Sequence, residues 1–360
     1  MKVACYFGGR TNLGGAERRI GRIMNQIAQK GIEVTFVFYL YEDFTDVQKE
    51  YHQMVGEPFH IKLVGFNKQL DLVKFVKKSH FDTVFYTGPN KDMLPFFFAG
   101  KLSGSQMVFL QVSTGPSIGR FGSFFEKMEF ELIARLSTRI DCLYPSTTEA
   151  IRKRYSKQIV TTTPCPSTDL TLFCPATKEK SLAFISRWVP GKNVLLFLES
   201  MLLIEDKIYE NGYKVILCGS SRDGKIEKEV GKLLEKSRYP QIYVLTGYVQ
   251  SINVLPFSEV FFSLQNINNY PSQSLLEAIS CGCYIIASNE GDTRLLVKDE
   301  YGVLVDLDAE QISAATMQYI VEDQKHKNEF SVEARRFAER EFDINKSVNH
   351  YYDIIFNNVK

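Results

Sequence analysis

Short apolar runs alternate with longer amphipathic stretches along nearly the whole chain. Val3–Phe7, Glu33–Tyr39, Ile61–Val64, Thr83–Tyr86 and Gln106–Val112 are rich in β-branched and aromatic residues and bounded by glycine or polar clusters. That is the pattern of buried strands. Between them, the stretch from Ala16 to about Lys30, Leu70–Lys78 and the run opening at Leu94 have helical character. Phe121–Arg139 predicts an aromatic amphipathic helix carrying Phe121, Phe124, Phe125, Met128, Phe130, Leu132, Ile133 and Leu136. Its apolar side either faces the core or, with Arg120, Lys127, Arg135 and Arg139 around it, touches lipid. Glu126, Glu129 and Glu131 weigh against the lipid reading. A strand follows at Asp141–Pro145, and Ser146-Thr147-Thr148-Glu149 has the spacing of a capping box opening a helix to Tyr155.

Thr163–Pro175 is proline-rich and loses the periodicity, which predicts a linker, with the boundary near residue 175. The alternation then resumes. Ser181–Ser186, Lys214–Cys218, Ile242–Leu245, Glu259–Leu264, Tyr284–Ser288 and Tyr301–Val305 read as strands. Val194–Leu203, Lys225–Lys236, a helix stopping at Cys281-Gly282-Cys283, Ala309–Val321, Glu329–Phe342 and Val348–Phe356 read as helices. Strands alternating with helices predict an α/β fold of βαβ units. The length of 360 residues suits two domains, expected at 1–175 and 176–340, followed by a closing helical segment at 341–360.

Composition narrows the function without naming it. Hydrophobic content of 44%, charged content of 24% and a net charge of +1 describe an ordinary globular protein and give no global argument for a nucleic-acid partner. Seven cysteines lack paired zinc-type spacing and read as free thiols in a reducing compartment. No uncharged apolar run approaches the ~18–20 residues that span a bilayer. Met1–Phe7 runs too soon into glycines for a signal peptide. His52, His60, His80, His326 and His350 share no spacing and read as structural or surface residues. No metal site is expected, and Asp306-Leu307-Asp308, after the last strand, reads as a solvated turn.

The candidate chemistry lies in polar turns between a strand and the next helix, the carboxyl edge where α/β sheets bind ligands. The fullest such turn is Asn268–Ala278. N–H groups at the start of its helix would face an anion. Glu277, about one turn in, either reaches a ligand hydroxyl or is a solvated residue on a buried helix. Arg187 and Lys192 flank Pro190-Gly191 at another such loop, as solvated cations or as phosphate ligands. Gly8–Gly15 is a glycine-rich first loop without the Gly-x-Gly-x-x-Gly or P-loop pattern, so a nicotinamide or ATP site is not supported. Gly219-Ser220-Ser221 and Thr246-Gly247-Tyr248-Val249 are further edge turns.

Tyr270-Pro271-Ser272-Gln273-Ser274-Leu275-Leu276-Glu277-Ala278, with Cys281–Ser288 and Glu290-Gly291-Asp292-Thr293 after it, resembles the signature of retaining family-4 glycosyltransferases of the GT-B fold. Arg187 and Lys192 match that family's Arg-x-x-x-x-Lys pair, Gly14-Gly15-Ala16-Glu17-Arg18 its Gly-Gly-x-Glu opening, and Asp169, Phe173 and Pro175 its interdomain passage. The resemblance implies two Rossmann-like domains facing each other across a cleft, with a last helix crossing back to the first. It implies metal-independent transfer of a sugar from a UDP- or GDP-linked donor, no cofactor, and a glycan or lipid-linked acceptor. Arg187 and Lys192 would hold the donor diphosphate, with Gly14, Gly15, Ser272, Gln273, Ser274 and Leu275 around phosphate and sugar. Gly219, Gly247, Tyr248, Val249 and Glu277 would receive the nucleoside. The family's usual first glutamate falls at Asn269, and no histidine follows the strand ending at Gln111, leaving Gln111, Ser113 and Thr114 toward the acceptor. The implied setting is bacterial surface-polysaccharide assembly, lipopolysaccharide or capsule, in the cytoplasm at the inner face of the membrane. Two other readings stay open: a catalytically weakened scaffold that binds nucleotide sugar or a partner, and an epimerase of the same fold.

Overall fold

The computed structural model describes residues 1–8, 15–39, 44–55, 58–87, 94–111, 124–164, 168–221, 223–268 and 270–356. The chain forms two compact units, Met1–Cys165 with Ile344–Lys360, and Pro166–Asp343.

The first unit is built on a parallel sheet of seven strands ordered β3-β2-β1-β4-β5-β6-β7. These are β1 (Lys2–Gly8), β2 (Glu33–Tyr39), β3 (Lys62–Phe66), β4 (Thr83–Thr87), β5 (Gln106–Gln111), β6 (Arg139–Cys142) and β7 (Ile159–Thr162). Successive residues of each strand feed opposite core layers, as the two-residue period of a strand requires. Ala4, Tyr6, Val84, Tyr86, Met107 and Phe109 pack on one face. Val3, Cys5, Phe85, Val108 and Leu110 pack on the other, with Ile20, Ile23, Met24 and Ile27 of α1 (Gly15–Gln29). The last helix, α13 (Ile344–Phe356), belongs to this second layer through Val348, Tyr351, Ile354 and Ile355. His350 Nε2 meets Asp141 Oδ1 at 2.8 Å, and Thr161 and Thr163 donate to the same carboxylate at 2.6 and 2.7 Å.

The helix expected over Phe121–Arg139 is α5 (Phe124–Leu136), and Arg139 opens β6 instead. Its apolar residues divide between two faces. Phe130, Ile133 and Ala134 are buried in the core, while Phe124, Met128 and Leu132, four residues apart, are 71, 54 and 41% exposed. The capping box expected at Ser146–Glu149 does not form. Pro145 takes the first turn of α6 (Pro145–Arg154), where its missing N–H costs nothing. Thr147 and Thr148 donate instead to the Tyr144 carbonyl at 3.0 and 3.3 Å, and Glu149 pairs with Arg152.

The second unit carries six parallel strands ordered β10-β9-β8-β11-β12-β13. They are β8 (Glu179–Ile185), β9 (Lys214–Cys218), β10 (Tyr243–Gly247), β11 (Ser258–Ser263), β12 (Tyr284–Ser288) and β13 (Gly302–Val305). Helices α7 (Val194–Leu203), α8 (Glu205–Glu210), α9 (Lys225–Leu234), α10 (Gln273–Ser280), α11 (Ala309–Val321) and α12 (Gln324–Glu341) complete it. The division between units comes at Cys165–Pro166 rather than near 175. The reason is Arg335 of α12. Its guanidinium donates to the carbonyls of Leu170, Phe173 and Ser280 at 2.7–3.0 Å, and Phe173 is buried, so the expected linker is stitched to the end of α10. Likewise α12 starts at Gln324, not Glu329, because the Asp323 side chain caps it by accepting from His326 N at 2.9 Å. Asp308 caps α11 in the same way, through Gln311 N. The closing segment expected from 341 joins the first unit at Ile344.

Candidate functional site

The strand order of the second sheet reverses between β8 and β11. Loops leaving those two strands therefore run to opposite sides, and the carboxyl edge between them is where a doubly wound sheet takes its ligand. The loop after β8 holds Arg187, Trp188 and a 3₁₀ turn, Pro190–Lys192. The loop after β11 starts at Leu264 and Gln265. The two are laced together. Asn193 Nδ2 donates to the Leu264 carbonyl at 3.2 Å, and Lys192 Nζ donates to Gln265 Oε1 at 2.6 Å. Gln265 is itself buried. Its Nε2 donates to Ser263 Oγ at 3.0 Å, its backbone N–H donates to Ser288 Oγ at 2.9 Å, and Ser288 Oγ returns a bond to the Gln265 carbonyl at 2.7 Å.

Burial, and then the neighbouring Arg187 charge, push the Lys192 ammonium down to about 8. A half-buried ammonium in the field of an exposed guanidinium is an electropositive point at the edge, the arrangement that stabilises an anionic group. The remaining strand ends support it. The Gly219 N–H donates to the Gly247 carbonyl at 2.7 Å, tying β9 to β10. Gly219 has φ +140°, and a Cβ there would lie 1.9 Å from the Ser186 carbonyl oxygen and 2.7 Å from Trp188 Nε1. Only glycine lets β8 and β9 end so close together. Beyond Gly247, the Tyr248 ring is 78% exposed and Val249 is half-buried.

Glu277, the fifth residue of α10, is 2% exposed and accepts a hydrogen bond from Ser251 Oγ. Its carboxylate is therefore held inside the unit, which removes the reading of a solvated surface glutamate. Ser251 opens a 3₁₀ turn just past Val249. The turn before α10 is anchored by Asn268, whose Oδ1 accepts from Tyr270 N and Asp292 N, both at 3.3 Å, and whose Nδ2 donates to Asp292 Oδ2 at 3.2 Å. Asn268 fills the space that a side chain at Gly291 would take, since a Cβ there would come within 2.2 Å of Asn268 Cγ. Ser272 precedes α10 without capping it, and its hydroxyl lies 3.3 Å from that of Ser274. The first N–H groups of α10, at Gln273, Ser274 and Leu275, are left for a ligand or water.

The structure thus gathers Arg187, Lys192, Gly219, Gly247, Tyr248, Val249, Ser272–Leu275 and Glu277 around the carboxyl ends of one sheet. Gln111 ends β5 in the first unit and is buried, and Gly15 opens α1. Gly14, Ser113, Thr114 and Asn269 lie outside the described residues. Sequence reasoning missed Gln265 and Ser251, although Gln265 directly follows an apolar strand at the ligand edge, and it placed Asn268 in the turn without its anchoring role. Among the described residues, one group of three side chains has metal-ligand geometry: Glu322, Asp323 and His326. It sits at the start of α12, away from this edge. There Lys327 reaches Tyr213 Oη at 3.1 Å, and Tyr213 bonds Glu259, the second residue of β11.

Residues 175–337 match the family model described as glycosyl transferases group 1. A curated relative, the N-acetylgalactosamine-N,N'-diacetylbacillosaminyl-diphospho-undecaprenol 4-alpha-N-acetylgalactosaminyltransferase of Campylobacter jejuni, is 23% identical over 175 residues, 45% of this chain and 44% of that protein. The match thus spans under half the relative's length. Among solved structures, Anabaena HepE in complex with UDP and glucose aligns over 99% of this chain and 100% of its own, with TM-score 0.78 and 14% identity. A Rickettsia africae glycosyltransferase aligns over 99% of both chains at TM-score 0.78 and 13% identity. The sucrose-phosphate synthase of Thermosynechococcus elongatus aligns over 98% of both at 0.75 and 16%. The fold is GT-B, and most of the second unit, residues 175–337, is similar to the glycosyl transferases group 1.

Proposed function

We propose that this protein moves a sugar from a UDP- or GDP-linked donor to a glycan or lipid-linked acceptor, with retention at the anomeric carbon and without a metal. The observation that carries the reading is the pair Arg187 and Lys192 at the strand-order reversal, with Lys192 seated on Gln265. As the glycosidic bond breaks, negative charge grows on the leaving diphosphate. Two fixed cations and the N–H groups opening α10 lower that barrier, at about 3 kcal/mol for a well-placed donor. Glu277 takes the ribose hydroxyls, and Tyr248 and Val249 border the base. The leaving phosphate accepts the acceptor proton on the face it departs from, so no enzymic base is required.

The acceptor is proposed from two sources. The Campylobacter relative is named for a diphospho-undecaprenol acceptor. The exposed Phe124, Met128 and Leu132 stripe on α5, with Lys127 and Arg135 beside it, suits loose attachment to the inner face of the cytoplasmic membrane. Assembly of a bacterial surface polysaccharide, lipopolysaccharide or capsule, is the setting proposed. Asn269, where the resembling family carries glutamate, favours one alternative: a weakened transferase that serves as a scaffold.

Calorimetry with UDP, GDP and ADP, and then with their common sugars, tests the reading. One nucleotide binding at micromolar affinity, weakened about a hundredfold in Arg187→Ala, is expected. Binding by none of them overturns the donor site. Binding without turnover on any lipid-linked or glycan acceptor, restored by Asn269→Glu, selects the scaffold.

A further inference from the structure

Lys192 reaches the carboxyl edge from a three-residue turn and has four rotatable side-chain bonds, so the turn alone does not fix where its ammonium sits. The 2.6 Å bond to Gln265 Oε1 does. The amide cannot turn over, because its Nε2 is spent on Ser263 Oγ at 3.0 Å. The backbone of Gln265 is clamped on both sides by Ser288 Oγ, at 2.9 and 2.7 Å. Ser263 closes β11 and Ser288 closes β12, so the amide is bolted to two adjacent strand ends. The strands are rigid elements on which a binding group can be held to sub-ångström tolerance.

We propose that Gln265 is a positioning residue that holds the Lys192 ammonium toward the donor diphosphate and sets its charge state through a neutral carbonyl oxygen. A carboxylate at that place would pair with the ammonium and spend its charge inside the protein. An apolar side chain would leave a half-buried cation with no acceptor. The amide does neither: it orients the donor and leaves the full charge for the ligand. Arg187 is the charged group that acts on Lys192. Gln265 on the facing loop and Asn193 next to Lys192 are neutral, and among the described residues no carboxylate acts on the Lys192 ammonium.

The inference rests on the donor-site reading above, and the test separates the two. In the full ligand-free chain carrying ¹³C-labelled lysine, the Lys192 amine is titrated by NMR, identified by its loss in Lys192→Arg. Gln265→Leu is expected to move that titration to lower pH by a unit or more, and the near-isosteric Gln265→Glu to move it to higher pH. UDP affinity is then measured against pH in the same three proteins. The alkaline loss of affinity should shift with the amine, downward for Gln265→Leu and upward for Gln265→Glu, and at pH 7.5 both variants should bind about tenfold more weakly than the parent. A merely structural role gives no shifts of opposite sign. Identical Lys192 titrations in all three proteins overturn the inference while UDP binding by the parent leaves the donor site standing. Failure of the parent to bind UDP, GDP or ADP removes the donor site, and the amine titration still decides what Gln265 does.

Discussion

Ser251 donates its hydroxyl proton to the buried carboxylate of Glu277, joining the 3₁₀ turn after β10 to the middle of α10. The carboxylate is therefore oriented before any ligand arrives. Hydrogen bonds to charged groups contribute about 1.5–3 kcal/mol. Ser251→Ala should weaken nucleotide binding about tenfold and lower the melting temperature of the ligand-free protein, and Glu277→Gln should weaken binding further. Calorimetry on the two variants checks the order. Equal affinity in Ser251→Ala and parent would show that Glu277 does not depend on that bond.

Nucleotide binding should fall as pH rises past about 8, where Lys192 loses its proton. The loss should approach tenfold per pH unit until the amine is fully neutral. The sign for the empty protein is opposite. The folded-state lysine is depressed below its ordinary value, so the unfolded chain binds more protons between about 8 and the usual lysine range. Over that window this group makes stability rise with pH. A UDP-induced thermal shift that shrinks above pH 8, while the ligand-free melting temperature gains from this group, is the expected pairing. An unchanged shift through pH 10 would mean that Lys192 does not touch the diphosphate.

Two glycines of the second unit should respond in opposite directions. Gly219→Ala drives a methyl group into the Ser186 carbonyl in a left-handed backbone, and should cost about 2–4 kcal/mol along with nucleotide binding. Gly231 lies inside α9 with nothing within 4 Å of a new Cβ, so Gly231→Ala should add about 0.5–1 kcal/mol. Urea unfolding of both variants measures the contrast.

Arg335→Leu strips three backbone carbonyls of their shared donor. A loss of about 2–4 kcal/mol is expected, with the 168–175 segment opening first. Hydrogen exchange at Leu172 and Phe173 would report it, and protection there equal to that of the parent would refute it.

Strand and helix positions were largely readable because each rests on local periodicity. α7, α11, β9 and β12 fall at the residues their patterns predict. The short α8 and β7, of six and four residues, give no clear period and were not read; α2 (Phe44–Val55) was passed over as well, although its pattern is amphipathic. The same distinction runs through the site. Arg187, Lys192 and Glu277 stand out by charge at strand-to-helix turns. Gln265 and Ser251 are neutral, and their roles exist only because folding brings residue 265 to residue 192 and residue 251 to residue 277. Tertiary capture also moved the unit boundary, since nothing near residue 170 announces that Arg335 will hold it.

The return of α13 to the first unit orders events during synthesis. The second unit is one unbroken segment, Pro166–Asp343, and its core can close as soon as that segment has left the ribosome. The first unit is made earlier but cannot finish: Val348, Tyr351, Ile354 and Ile355 of its core arrive last. Until then, the apolar faces of α1 and its sheet stay partly uncovered. The half of the chain translated first is therefore the half completed last, and a ribosome that stops before residue 344 releases a finished second unit attached to an unfinished first one.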